Sequence, residues 1–206
     1  RDLSSAVKAS HYVCLGHGFG VQAARAETEK PIGVVLNFTP GRLETKTKIN
    51  TEALERYEAV TNTWYLSAII KGNYPDVALQ ELEGYLPNSW KSDLQNIKEP
   101  IDFIGINYYT TVLLKSGGDK FPFVEIIERD LPKTDMGWDV EPAGLTEAIN
   151  LVSDYAPNLP LYITENGMAS KNAIADIDRI EYYKQHLNEV AKAAETLPVN
   201  GYFAWS

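Results

Sequence analysis

Four short apolar runs punctuate the chain, each closing on a polar or aromatic residue, with longer amphipathic stretches between them. Ile32–Phe38 is an apolar run broken only by Asn37 near its end, the pattern of a strand buried on both faces of a parallel sheet. Ile101–Thr110 is the clearest strand and again ends in hydrogen-bonding residues, Asn107 to Tyr109. Leu161–Gly167 leaves Pro160, is rich in strand-favouring Tyr, Ile and Thr, and stops at the carboxylate of Glu165 before an Asn166-Gly167 turn. Residues 200–206 begin a last strand that carries Trp205.

The intervening stretches predict helices. Residues 5–29 form a long one, capped by Ser4 or Ser5, with Ala6, Val7, Val13, Cys14, Val21 and Ala24 as its apolar stripe. Gly16, Gly18 and Gly20 within it imply close packing, and Lys30-Pro31 ends it. Residues 52–71 form a second, with Leu54, Tyr57, Trp64, Tyr65, Ala68 and Ile69 on its inner side, stopped by Gly72-Asn73-Tyr74-Pro75. Short helices follow near 76–83 and before Pro100, then one at 142–155 and one at 176–196 with Asp176 as its cap. Residues 111–141, with Gly117-Gly118, Pro122 and Pro132, make an excursion longer than a connection needs, and such loops carry function.

Strands that alternate with helices imply an α/β fold with a parallel sheet and right-handed crossovers. In such a sheet the ends of the four strands lie on one side, so Asn37, Asn107, Tyr109, Glu165 and Trp205 converge.

Composition narrows the chemistry. A length of 206 residues is enough for one domain with a sizeable core, and 44% hydrophobic with 23% charged residues is ordinary for a soluble globular chain. A net charge of −9 without a basic run argues against nucleic acid and anionic membranes as partners. Cys14 is the only cysteine, set between Val13 and Leu15 as a buried thiol, so no intrachain disulfide can form. His11, His17 and His186 do not form a zinc pattern, and Gly16-His17-Gly18-Phe19-Gly20 lacks the lysine of a phosphate loop, so neither metal nor cofactor is expected. Asn37-Phe38-Thr39 matches a glycosylation sequon, but a strand-end Asn beside a buried Phe is a poor acceptor. No apolar run is long enough to span a membrane. No signal peptide is visible, but the chain opens on Arg1, so the compartment stays open.

One carboxylate, two amides, a phenol and an indole suit a polyhydroxylated substrate. Trp205 offers a platform for a sugar ring and Glu165 a nucleophile for an anomeric carbon, against the plainer readings of a core Trp and a strand-ending Glu. A glycosidase also needs a second, protonatable carboxyl, about 5 Å away if it retains configuration and farther if it inverts. No other strand end supplies one.

These motifs resemble glycoside hydrolase family 1, which contains β-glucosidases, β-galactosidases and 6-phospho-β-glycosidases. Ile163–Gly167 resembles the family's nucleophile motif on the seventh barrel strand, Phe103–Thr110 its sixth-strand motif, and Gly201–Ser206 the start of its eighth. Met136-Gly137-Trp138, Pro142–Leu145, Gly72–Pro75 and Asp178–Tyr183 are lesser matches in family order, and the His11–Arg25 helix resembles the one after the fourth strand. The resemblance implies strands 5–8 of a (β/α)8 TIM barrel, a partial catalytic domain over residues 1–206. It implies Glu165 as nucleophile and Tyr109 as the phenol that hydrogen-bonds it. Asn37 and Asn107 would line the pocket floor, Trp205 would lie under the sugar, and Trp138 would wall the leaving-group side. The substrate class would be a small β-glycoside. Two departures stand out. Glu141-Pro142-Ala143-Gly144 replaces the usual Tyr-Pro-Glu-Gly, which alters the surface near the leaving group. The strands and the acid/base motif of the N-terminal barrel half have no counterpart, so the chain is expected to need that half as a partner. The alternative implied by the same fold is a sugar-binding protein without catalysis.

Overall fold

The computed structural model describes residues 2–171 and 174–205. The elements run α1 (Leu3–Glu27), β1 (Gly33–Phe38), β2 (Gly41–Leu43), α2 (Lys48–Thr61), α3 (Trp64–Lys71), α4 (Asp76–Leu82), α5 (Trp90–Ile97), β3 (Phe103–Tyr108), β4 (Val112–Ser116), β5 (Val124–Ile127), α6 (Ala143–Tyr155), β6 (Leu161–Asn166), α7 (Ile177–Ala194) and β7 (Val199–Ala204). β1, β3, β6 and β7 form one sheet in that order, and every pairing is parallel. The crossovers carry the helices, as the alternating pattern predicted.

One face of this sheet is buried and the other is open. Ile104, Ile106 and Tyr108 of β3 and Leu161 and Ile163 of β6 are fully buried, packed with Leu66 of α3 and with Leu145, Ile149 and Val152 of α6. Alternation sends the intervening residues the other way. There Phe103 and Tyr162 meet edge to face at 5.5 Å, and Val35 and Thr164 flank Gly105. Little covers this face: Val35 is 48% exposed, Phe203 58% and Trp205 54%. Among the described residues the sheet does not close, since β1 has only β3 beside it and β7 only β6.

A second apolar cluster lies under α1, where Val7 and Cys14 pack with Trp64, Ile69, Tyr74 and Ile97. Cys14 is buried there, and burial pushes its thiol up to about 11.

Several expectations are corrected. β1 is not buried on both faces, because its Val35 and Asn37 belong to the open side. α1 starts at Leu3 and is capped by Asp2, whose carboxylate accepts from the amides of Ser4 and Ser5, so neither serine is the cap. Ala6 and Val13 face solvent, and of the three glycines only Gly18 packs closely, against the main chain of Asn96. The helix expected over 52–71 is two helices. Asn62 breaks it by turning its amide onto Thr39, donating to the carbonyl at 3.1 Å and accepting from the N–H at 2.8 Å, which ties the helix to the exit of β1. Residues 111–141 are not a loop throughout. They contain β4 and β5, which with β2 form a three-stranded sheet beyond the strand ends. Asp176 makes no capping hydrogen bond and pairs instead with Arg179 at 3.4 Å. β7 ends at Ala204, before Trp205, and Ser206 lies outside the described residues.

Candidate active site

The strand registers place three of the expected residues in one row. Asn37 of β1 stands opposite Asn107 of β3, and Asn107 stands opposite Glu165 of β6. Tyr109, two residues beyond Asn107 and so on the same face, donates its hydroxyl to Glu165 Oε2. Thr164 Oγ1 donates to Asn107 Oδ1 at 2.7 Å, which orients the amide so that its N–H groups are left for a ligand. Trp138 is 42% exposed and its ring lies 5.5 Å from that of Tyr109. Trp205 is anchored by its main chain to the end of β6 and to α7: its N–H donates to Asn166 O at 2.9 Å and its carbonyl accepts from Tyr183 at 2.6 Å.

Electrostatics favour a protonated donor at the centre. The Tyr109 phenol is held well above its ordinary value, first by burial and then by the hydrogen bond and charge of Glu165. It therefore keeps its proton and stays a donor. Among the described residues no group of three metal-ligating side chains is gathered anywhere, and no helix is long and apolar enough to cross a membrane.

Pattern reading missed the supports of this row. Arg129 is one: its guanidinium reaches Asp139 at 2.7 Å and Glu141 at 2.6 Å and also donates to the carbonyl and hydroxyl of Thr111. Glu141 in turn pairs with Arg42. Burial works against charge on Glu141, but hydrogen bonds from Thr111 and Arg129 outweigh it and hold the carboxyl below its ordinary value. This network staples the segment that carries Trp138 to the end of β3, where Thr110 Oγ1 donates to Asp139 O at 2.9 Å. Nothing in the loop's composition pointed to it. Asn166 is the other support. The sequence places it in a turn with Gly167, but it is the last residue of β6 and fully buried.

The strand ends of a half-open parallel sheet thus present a phenol-bound carboxylate and two amides, and comparison with known proteins gives the family. The model of glycosyl hydrolase family 1 matches residues 1–206, so the chain belongs to that family. Beta-glucosidase A of Thermotoga maritima is 35% identical, over 100% of this chain and 48% of its own length. The bifunctional beta-D-glucosidase/beta-D-fucosidase of Bifidobacterium breve is 34% identical, over 98% of this chain and 48% of its own. Among solved structures, the Thermotoga maritima family 1 β-glucosidase superposes with a TM-score of 0.94 at 34% identity, and its complex with deoxynojirimycin with 0.93 at 35%. Both matches cover 100% of this chain and 48% of the other. The chain thus spans about half the length of the relatives it matches, and the fold is part of a TIM barrel, its C-terminal half, and not a closed one.

Proposed function

We propose that these 206 residues are one partial catalytic domain of a retaining β-glycosidase, β-glucosidase-like, that hydrolyses terminal β-glycosidic bonds by double displacement. The observation that carries this reading is the Tyr109–Glu165 hydrogen bond set at the end of the Asn37–Asn107–Glu165 row. Tyr109 occupies one carboxylate oxygen and leaves the other to attack the anomeric carbon. In the first step that oxygen forms a bond to the sugar while the bond to the leaving oxygen breaks, and a carboxylic acid on the opposite side gives that oxygen its proton. In the second step water gives a proton to the same group and displaces Glu165. The row offers only one carboxylate among the described residues, so the acid/base belongs to the other barrel half. Asn37 and Asn107 hold sugar hydroxyls, Trp205 underlies the ring, and Trp138 faces the leaving group. Relatives solved with glucoimidazole and with deoxynojirimycin support a glucose-sized ligand.

The free edges support the need for a second half. A groove of about 370 Å³ runs along β1, lined by Val13, Val35, Leu36, Asn37, Asn62 and Tyr65. It lies where a neighbouring strand and helix would pack. Treating the complete enzyme with a 2-deoxy-2-fluoro-β-glucoside carrying a good leaving group tests the reading. A covalent sugar on Glu165, found by peptide mass mapping, is the expected result. Tight sugar binding without a label would make the chain part of a non-catalytic sugar-binding protein instead.

A further inference from the structure

The strand that presents Glu165 is irregular at the point where it does so. Against β3, Ile163 stands opposite Ile106 but Glu165 opposite Asn107, so Thr164 is one residue too many. Against β7, Ile163 stands opposite Tyr202 and Asn166 opposite Ala204, so Thr164 and Glu165 together face the single residue Phe203. Both neighbours therefore record the same one-residue bulge. Its effect is on the side-chain faces. Strict alternation would turn Glu165 to the same side as Ile163, which is fully buried among apolar residues. The bulge puts Thr164 and Glu165 both on the open face and returns Asn166 to the helix side, where it is 0% exposed.

On that side the Asn166 side chain is held from three elements. Its amide nitrogen donates to Tyr108 O at the end of β3, at 2.8 Å, and to Tyr182 Oη of α7, at 2.9 Å. Its Oδ1 accepts from Tyr202 Oη of β7 at 2.7 Å. Burial, the largest influence on each, holds the Tyr182 and Tyr202 phenols above their ordinary range, so both keep their protons. A register without the bulge would swing this amide to the open face, leaving its three partners unpaired and burying a carboxylate in their place.

Building on the reading of Glu165 as nucleophile, we infer that Asn166 is its positioning residue: the amide, clamped by Tyr108, Tyr182 and Tyr202, fixes the bulge that aims the carboxylate at the sugar. It touches no substrate and acts only through Glu165.

The test compares the complete enzyme with its Asn166→Asp and Tyr202→Phe variants, each normalised to competent sites by active-site titration. Asn166→Asp keeps the shape but loses both donors, and Tyr202→Phe removes only the donor to Oδ1. The readouts are the first-order rate constant for labelling by the 2-fluoro glucoside at saturation, and kcat against KM. Misplacement of a reacting atom by about 1 Å costs roughly 10²-fold. Asn166→Asp is therefore expected to slow labelling and kcat by about that factor with KM little changed, and Tyr202→Phe to slow both by a smaller factor. A purely structural role would lower the number of competent sites and leave the labelling rate of each unchanged, which overturns the inference. If Asn166→Asp does not fold, Tyr202→Phe decides alone, and a wild-type labelling rate there overturns it. Failure to label Glu165 in the unsubstituted enzyme overturns the nucleophile reading and this inference with it.

Discussion

The Tyr109 hydroxyl donates to Glu165 Oε2 across the β3–β6 pairing, joining two strand ends that lie 56 residues apart in the chain. Each strand supplies half of a charge-assisted hydrogen bond, and the phenol keeps its proton because burial and the carboxylate both oppose its ionisation. Hydrogen bonds to charged groups contribute roughly 1.5–3 kcal/mol, which corresponds to about 10–100-fold in rate if the bond serves to hold the reacting carboxylate. Tyr109→Phe in the complete enzyme is expected to lower kcat by about that range and to leave thermal stability nearly unchanged. Steady-state kinetics and a melting curve check both halves. A variant that turns over at the parental rate would remove Tyr109 from the site.

Trp138 is placed by an ion network at one remove. Arg129, Asp139, Glu141 and Lys133 hold its segment, and both carboxyls lie below their ordinary values of 4.5 for Glu141 and 3.8 for Asp139. Burial opposes the charge on both; hydrogen bonds from Lys133 and Arg129 overcome it at Asp139, and hydrogen bonds from Thr111 and Arg129 at Glu141. A carboxyl with a lowered folded pKa adds stability above its unfolded value and loses it as pH falls through the folded one. The network therefore holds at neutral pH and fails below the ordinary carboxylate range. Arg129→Met removes the cation that Asp139 and Glu141 share, leaving Asp139 to Lys133 and Glu141 to Arg42, and is expected to cost about 2 kcal/mol. Urea unfolding at neutral pH measures that cost. Repeated in steps below pH 5, it should show the difference from the parent shrinking.

How far this arrangement was legible in the sequence depends on what each feature required. The strands and their parallel order followed from apolar runs spaced by helices. The row followed because each run closed on a side chain that apolar packing does not explain. Asn37, Asn107, Tyr109 and Glu165 were found that way. The bulge was invisible because Leu161–Asn166 reads as an uninterrupted strand, and the extra residue exists only relative to Ile106 and Tyr202. Asn166 reads as a turn residue because Asn-Gly is a turn signal wherever no tertiary partner claims the amide. Here three partners do. The Arg129 network was equally hidden, since its members come from β3's exit, the 129–141 segment and β2. The break at Asn62 escaped notice for the same reason: helix periodicity continues through it, and only Thr39 reveals why the helix stops.

His186 sits behind the site on α7, stacked 3.8 Å from Tyr182, with Nδ1 donating to Tyr182 O at 2.8 Å. Burial lowers it from 6.5 to about 4, so it is neutral in the folded protein at physiological pH. The unfolded chain then binds a proton that the folded chain refuses, so stability declines as pH falls from 6.5 towards 4 and levels off below that. The full effect is on the order of 3 kcal/mol. His186→Phe keeps an aromatic ring against Tyr182 and cannot titrate. Its unfolding free energy, measured between pH 7 and 4.5, is expected to fall less steeply than that of the parent. Parallel curves would place the titration elsewhere.

The open face carries the last prediction. Val35, Phe203 and Trp205 are about half exposed, and among the described residues β1 and β7 each offer an unpaired edge and no element forms a wall opposite the open face. An edge strand with apolar residues beside it is a template for pairing with another chain. Two outcomes are available to it: self-association, or closure by the strands of the complementary half. On the proposed function, only the second supplies the carboxylic acid opposite Glu165, so only the second should restore hydrolysis. Sedimentation velocity of the 206-residue chain alone is expected to show oligomers and no hydrolysis of an aryl β-glucoside. Co-expression with the N-terminal half of a relative such as the Thermotoga maritima enzyme is expected to give a one-to-one complex that turns over. Val35→Lys, which places a charge on the face to be buried, should weaken that complex without restoring a monomer that works by itself. A monodisperse single chain that hydrolyses the glucoside unaided would show that this half-barrel closes its own site, and the case for a missing acid/base would be lost.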